Sequence, residues 1–157
     1  AWKLCTTMRS DDVTETLKLA LQASGCDRVD VVHKPRLLSD NGSSYIAGDL
    51  ADWLIDQGMA HVRGAPNHPQ TQGKIERWHQ TLKNRVLLEN YYLPSDLEAS
   101  IGAFVERYNH RRYHESLGNL TPADVYFDRH RTIIDRRRKI KDLTIRTRRL
   151  AHQRQAA

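Results

Sequence analysis

The sequence predicts an α/β fold, in which helices flank a sheet, followed by a helical and basic tail. Short apolar segments alternate with amphipathic helical patterns up to residue 63, as in α/β sheets. Only helical patterns follow the Pro- and Gly-rich segment 64–73, which is predicted to be a loop. From residue 128 onward the chain is strongly basic. We therefore expect two parts, a sheet-containing domain over 1–127 and a tail over 128–157.

The first half of the chain contains the strand signals. Residues 1–8 alternate like a strand. A helix is expected to begin at Asp12, the predicted N-cap, with Glu15 as its capping-box partner, and to end at Gly25. A short strand ending at Ser39, an amphipathic helix over 46–58 and a strand over 59–63 are expected next.

The second half is predicted to be helical. A long helix is expected over about 74–91, and a second from Pro94 to about His110. Thr121 and Pro122 are typical of a helix start, with Thr as N-cap and Pro in the first turn. The last helix is expected over about 128–154.

The ends and the composition suggest a fragment of a cytoplasmic protein. The chain opens on Ala1 inside a strand-like pattern, and no signal peptide precedes it, so we expect an N-terminal part to be absent. Cys5 and Cys26 have neither zinc-type spacing nor a disulfide framework, which favours reduced thiols. No apolar run is long enough to span a membrane.

The tail concentrates the positive charge. The whole chain has a net charge of +6, yet residues 128–157 contain eleven Lys and Arg against three Asp. An acidic partner such as nucleic acid explains this, and so does a solvated charged helix. Leu143 and Leu150, like Ile133 and Ile140, are seven residues apart, but Arg136 and Thr147 interrupt this short coiled-coil pattern.

Two carboxylates are candidates for metal binding. Asp40 follows Leu37-Leu38-Ser39 and opens D-N-G, so it is either a turn former or an acid presented at a strand end. Glu76 lies in the predicted first turn of a helix, where an acid also stabilises the helix dipole. Thirty-five residues separate them. Carboxylates brought together repel unless a hard divalent cation such as Mg²⁺ or Mn²⁺ lies between them. The histidines show no zinc spacing.

Four stretches together point to a family. They are S-D-N-G-S-S-Y at 39–45, N-H-P-Q-T-Q-G-K-I-E-R-W-H-Q-T-L-K at 67–83, Y-N-H-R-R-Y-H-E-S-L at 108–117 and T-P-A-D-V-Y at 121–126. In this order they resemble the integrase core shared by retroviral integrases and bacterial insertion-sequence transposases. The resemblance implies a ribonuclease-H-like fold with a five-stranded mixed sheet. It also implies a site of three acids, of which Asp40 matches the second and Glu76 the third, holding Mg²⁺ or Mn²⁺.

The resemblance further implies DNA as the partner, both transposon ends and target, with a homo-oligomer as the active complex in the bacterial cytoplasm at the nucleoid. The first acid of the family precedes the segment that opens this chain, so we expect this chain by itself to be inactive in strand transfer. A non-catalytic DNA-binding or transpososome-assembly module is the alternative. Another ribonuclease-H-like nuclease fits the fold but not the stretches after Glu76. The candidate DNA-contacting residues are His68, Gln72, Lys74, His79, Gln80, Lys83, Arg111, Arg112, His114, Arg136, Arg137, Arg138 and Lys139.

Overall fold

The structure is a computed structural model that describes residues 1–28, 30–65 and 73–155. Most of the predicted loop over 64–73, including His68 and Gln72, lies outside these residues. The described part contains a two-stranded sheet and seven α-helices. In chain order they are α1 (Ser10–Ser24), β1 (Leu37–Ser39), α2 (Ser43–Ile46), α3 (Gly48–Asp56), β2 (His61–Arg63), α4 (Gly73–Val86), α5 (Pro94–His110), α6 (Pro122–Tyr126) and α7 (His130–Gln155).

The sheet pairs β1 with β2 in parallel. Leu37 lies opposite His61 and Ser39 opposite Arg63. Because side chains alternate along a strand, these four residues share one face of the sheet. On this face Leu37 packs against the apolar core, and Ser39 is buried.

A compact unit over Ala1–Asn84 contains this core. The buried apolar side chains come from α1, from α3 and from the residues just before β2. On α1 and α3 the apolar residues recur every four positions, so each helix presents one stripe to the core. The core residues are Leu21, Leu50, Leu54 and Met59, with Val13, Leu17, Cys26, Leu37, Tyr45 and Trp53 packed against them.

A second compact unit covers Arg85–Ala157. Leu120, Thr121 and Ala123 are buried in it, around the start of α6, and α5 packs against α6. Its longest helix, α7, is exposed along nearly its whole length. The predicted division of the chain at residue 128 stays a prediction. None of the described helices combines the length and the apolar character needed to cross a membrane.

Local proline and capping signals predicted the bounds of α5 and the start of α6 correctly. Helix α5 runs from Pro94 to His110, as expected. Thr121 caps α6, because its Oγ1 accepts a hydrogen bond from the Asp124 N–H at 3.2 Å. Asp124 in turn accepts from the Thr121 N–H. Hydrogen bonding to Thr121 holds the pKa of Asp124 below its ordinary value.

Removing this cap should destabilise the protein measurably. We expect Thr121→Ala to lower the free energy of unfolding by about 1 kcal/mol, because an orphan N–H of α6 loses its acceptor. Urea denaturation followed by circular dichroism measures the change. Thr132→Ala, at an exposed position of α7, is the matched control and should change stability by less than about 0.5 kcal/mol. Equal effects of the two substitutions would contradict the capping role.

The prediction of a strand over 1–8 was wrong. These residues form no strand, and no described backbone ladder pairs with them. A strand requires a neighbour that pairs with its N–H and C=O groups, so alternation of residues alone does not create one. Of the five strands that the resemblance implies, the described residues contain two, β1 and β2.

The start of α1 also differs from the prediction. The helix begins at Ser10, with Arg9 as N-cap and Asp12 at the third helical position. The Asp12 carboxylate accepts a hydrogen bond from the Arg9 N–H at 3.1 Å and another from the Thr7 hydroxyl. Glu15 pairs instead with Lys3. A carboxylate at this position reaches back to an unsatisfied N–H, so Asp12 stabilises the helix start without being its cap.

Two other helix predictions were too long. The segment 46–58 is not one helix, because Ala47 has extended backbone angles and separates α2 from α3. Helix α4 ends at Val86, whose carbonyl accepts a hydrogen bond from the Tyr91 hydroxyl at 2.8 Å. This bond satisfies one of the carbonyls that a helix C-terminus leaves free.

Candidate active site and nucleic-acid interface

Asp40 immediately follows β1, and its exposed carboxylate serves a turn. Its Oδ1 accepts a hydrogen bond from the Gly42 N–H at 2.9 Å. Asn41 fastens the turn to the end of β2, because its Nδ2 donates to the Gly64 carbonyl at 2.9 Å. Among the described residues, Oδ2 of Asp40 has no hydrogen-bond partner. The carboxylate of this exposed residue therefore forms the turn with one oxygen and leaves the other without a partner among the described residues.

Neighbouring residues restrict the position of the Asp40 carboxylate. A Cβ on Gly42 would lie 3.0 Å from Asp40 Oδ1, so a larger residue there would displace the carboxylate. Tyr45 lies close by in α2, and its pKa is raised by burial and by the charge of Asp40. Ser39 is 3% exposed, and its Oγ lies 2.8 Å from the Asp40 carbonyl oxygen. The same Oγ lies 2.8 Å from His61 Nε2 on β2.

Glu76 lies in the first turn of α4, as predicted, and its side chain is exposed. Its carboxylate forms no hydrogen bond or ion pair within the described ranges. The apolar stripe of α4 is buried only toward its end, since Ile75 is 46% exposed and Val86 is 4% exposed. Gln80 donates to Asn84 at 2.7 Å. The other predicted DNA contacts on α4 are also exposed: Lys74, His79 and Lys83.

Asp40 and Glu76 belong to the same compact unit. No hydrogen bond or ion pair between described residues joins α4 to the Asp40 turn. In the described ranges, no three His, Cys, Asp or Glu side chains are grouped closely enough to hold a metal ion. The carboxylate oxygens of Asp40 and Glu76 are nevertheless of the type that Mg²⁺ prefers. Proteins bind Mg²⁺ through one or two carboxylates, and waters and substrate phosphates complete the coordination shell.

A second candidate region lies between α5 and α6. The Arg112 guanidinium lies 5.4 Å from the centre of the Tyr108 ring, and the Tyr108 and His114 rings are 4.9 Å apart. Tyr108 is half-buried, whereas Arg111 and Arg112 are exposed. His114 Nε2 is buried and has no hydrogen-bond partner in the described part of the chain. Burial and the charge of Arg112 lower the pKa of His114.

The shifted pKa of His114 predicts how stability depends on pH. Because this pKa is lowered in the folded protein, the unfolded chain takes up a proton first as the pH falls below the ordinary value of 6.5. Stability should therefore be retained above about pH 7 and decrease toward about pH 5. His61, whose pKa is lowered by burial and by Arg63, contributes with the same sign. Thermal unfolding across this range should show a smaller slope in His114→Gln than in the unmodified protein, and equal slopes in the two proteins would contradict this role of His114.

The cations of α7 differ from one another in their contacts. Arg137 Nη1 donates to the Asn119 carbonyl at 2.9 Å, and its guanidinium lies 5.7 Å from the centre of the Tyr113 ring. Arg136, Arg138 and Lys139 are exposed and make no hydrogen bond or ion pair with described residues. Arg137 thus joins α7 to the turn before α6. The sequence did not reveal this role, because the four cations at 136–139 are adjacent and alike.

Part of the chain is similar in sequence to known proteins. Residues 57–122 match the integrase core domain. The Pol polyprotein of equine infectious anemia virus (strain Wyoming) is 32% identical over 98 residues, which are 62% of this chain and 8% of that protein. The Gag-Pol polyprotein of Rous sarcoma virus subgroup C (strain Prague) is 32% identical over 69 residues, 43% of this chain and 4% of that protein. The chain thus spans less than a tenth of these relatives.

Solved structures show the same fold. The catalytic core domain of BIV integrase matches with a TM-score of 0.59 and 24% identity, covering 84% of this chain and 80% of that one. A chain of the simian T-cell lymphotropic virus intasome in complex with PP2A regulatory subunit B56 gamma matches with a TM-score of 0.58 and 19% identity, over 70% of this chain and 37% of that one. The predicted α/β fold of the integrase core is confirmed. The predicted insertion-sequence origin stays a prediction, because these relatives are retroviral.

Proposed function

We propose that this chain contributes two metal-binding carboxylates and several DNA-contacting residues to a polynucleotidyl transferase of DNA integration or transposition. The observation that carries the proposal is the Asp40 turn at the end of a strand, which leaves one oxygen of an exposed carboxylate without a hydrogen-bond partner among the described residues. The match of residues 57–122 to the integrase core domain supports the same reaction type. The reaction would join a DNA 3′-hydroxyl to a phosphodiester.

Asp40 and Glu76 are the residues that would hold Mg²⁺ or Mn²⁺. The bound ions would act as Lewis acids that neutralise charge on the reacting phosphate and activate the attacking hydroxyl. Asp40 is held in place by Gly42, and Glu76 by the first turn of α4. Two carboxylates hold a divalent ion less tightly than three, so we propose that these 157 residues alone catalyse little strand transfer.

The exposed polar residues would bind and orient DNA. Lysine and arginine neutralise phosphates without reading sequence, which suits both transposon ends and arbitrary target sites. The proposed DNA-contacting residues on α4 are Lys74, His79, Gln80 and Lys83. Those that follow α5 are Arg111, Arg112 and His114. His68 and Gln72 belong to the same proposal but lie outside the described residues. The proposed DNA-contacting residues on α7 are Arg136, Arg138 and Lys139. Arg137 belongs to the same proposal, and its guanidinium also donates to the Asn119 carbonyl.

We further propose a bacterial insertion sequence as the source, with the protein acting as a homo-oligomer at the nucleoid. This origin rests on the four stretches described above, which resemble a core that insertion-sequence transposases share with retroviral integrases. Inverted repeats flanking the coding DNA are the expected finding. Flanking retroviral long terminal repeats would contradict the origin while leaving the proposed reaction intact.

Metal binding provides the direct test. We expect Mn²⁺ to bind the 157-residue chain weakly, and Asp40→Asn or Glu76→Gln to raise the dissociation constant by about tenfold or more, because each removes a charged ligand. Isothermal titration calorimetry measures the affinity. Asp52→Asn on α3 and Glu98→Gln on α5 replace exposed acids elsewhere and should leave it unchanged. Unaltered Mn²⁺ affinity in Asp40→Asn would refute the metal-ligand role.

A non-catalytic DNA-binding or assembly module is the second candidate. The absence of a group of three metal-binding side chains in the described ranges favours it, as do the unpaired cations of α7. It predicts DNA affinity that is independent of Mn²⁺ and unchanged in both carboxylate variants. A Mn²⁺-dependent increase in affinity for DNA that Asp40→Asn abolishes would exclude this candidate.

A further inference from the structure

A buried serine connects Asp40 to the neighbouring strand. Ser39 Oγ lies within hydrogen-bond distance of two groups, the Asp40 carbonyl oxygen and His61 Nε2, both at 2.8 Å. Ser39 is only 3% exposed, so water cannot readily replace either bond. The parallel register makes this contact possible, since Ser39 and His61 lie on the same face of adjacent strands and are diagonal neighbours, offset by two residues.

The number of protons determines the direction of these hydrogen bonds. A serine hydroxyl has one proton to donate, and a carbonyl oxygen can only accept. If Ser39 donates to the Asp40 carbonyl, its oxygen must accept from His61, so Nε2 of His61 carries a hydrogen. The lowered pKa of His61 favours the neutral imidazole, in which a single nitrogen carries the proton.

We propose that His61 is a positioning residue for Asp40, acting through the relay His61 Nε2–H to Ser39 Oγ–H to the Asp40 carbonyl. The relay fixes the backbone at the residue whose carboxylate the turn presents. It complements the bond from the Gly64 N–H to the Ser39 carbonyl, at 2.9 Å, which holds the same segment to β2. Its consequence for metal binding rests on the proposed function, but the relay itself does not.

The tautomer of His61 tests the relay in the unmodified protein. Two-bond ¹H–¹⁵N correlation spectra distinguish a histidine that carries its proton on Nε2 from one that carries it on Nδ1. We expect the Nε2–H tautomer. The Nδ1–H tautomer would overturn the proposal, because Ser39 would then donate to His61 and leave the Asp40 carbonyl without this bond.

Variants test whether the relay positions Asp40. His61→Leu removes the donor, whereas His61→Gln places an amide N–H close to the position of Nε2. We expect the Gly42 amide, which donates to Asp40 Oδ1, to exchange with solvent roughly five- to tenfold faster in His61→Leu, since one hydrogen bond is lost. His61→Gln should restore the slow exchange. Equal exchange in all three proteins, or equal acceleration in both variants, would overturn the proposal.

A double-mutant cycle separates the relay from general loss of packing. Ser39→Ala and His61→Leu interrupt the same relay, so the double variant should exchange no faster than the faster single variant. The proposal would be overturned if the double variant accelerated the exchange of the Gly42 amide by the product of the two single accelerations. Mn²⁺ affinity should weaken in the same variants and recover in His61→Gln. If Asp40→Asn itself leaves Mn²⁺ affinity unchanged, the proposed function fails, while the tautomer and the Gly42 exchange still decide the relay.

Discussion

Replacing Leu50 by alanine is expected to lower the free energy of unfolding of the Ala1–Asn84 unit by about 2–5 kcal/mol. Leu50 is completely buried and packs with Leu21, Leu54 and Met59. The substitution removes buried methyl groups and leaves a cavity that neighbouring side chains fill only partly. Since small domains are stable by about 5–15 kcal/mol, this loss is a large fraction of the total.

Tryptophan fluorescence during urea denaturation measures this effect, because Trp53 packs against the same core. Ile55→Ala provides a matched control on the same helix. Ile55 is 73% exposed, so its truncation should cost less than about 0.5 kcal/mol. Similar losses for Leu50→Ala and Ile55→Ala would contradict the packing of α3 described above.

Neutralising the unpaired cations of α7 should produce the largest change in DNA affinity. In Arg136→Gln/Arg138→Gln/Lys139→Gln we expect the slope of log affinity against log salt to decrease by up to roughly 0.9 per cation. At about 0.1 M salt this amounts to a loss on the order of 10²-fold. Fluorescence anisotropy with labelled duplex DNA of arbitrary sequence, over a series of salt concentrations, measures both quantities.

Two controls assign the effect to α7. Lys18→Gln/Arg28→Gln/Arg36→Gln removes the same charge from exposed positions of the first unit and should change affinity far less. Arg137→Gln should instead reduce stability, because Arg137 is bonded to the Asn119 carbonyl. If the triple substitution on α7 leaves the salt slope unchanged, α7 is a solvated helix and does not contact DNA.

Features that depend on neighbours in the sequence were predicted most accurately. Helices α5 and α6 begin at Pro94 and Pro122 as expected, because helix caps and fixed proline angles act within a few residues. The Asp40 turn was predictable for the same reason, since Gly42 and Asp40 are two residues apart. The α/β class followed from alternating apolar patterns and is shared by the integrase core structures.

Predictions failed where distant residues decide the outcome. Residues 1–8 have the alternation of a strand but form none, because pairing requires a partner that local pattern does not specify. The family resemblance selected Asp40 and Glu76, but the placement of the two carboxylates at a shared metal ion stays a prediction.

The sequence by itself determined the fold class, the ends of the well-capped helices, the basic tail and the candidate acids. Tertiary structure alone decided that Ser39 meets His61 and that Arg137 meets the Asn119 carbonyl. Strand register and helix docking bring these partners together from 22 and 18 residues apart. Their residue types carry no signal for such pairing, because a hydrogen bond depends on the positions of its two groups in the folded chain.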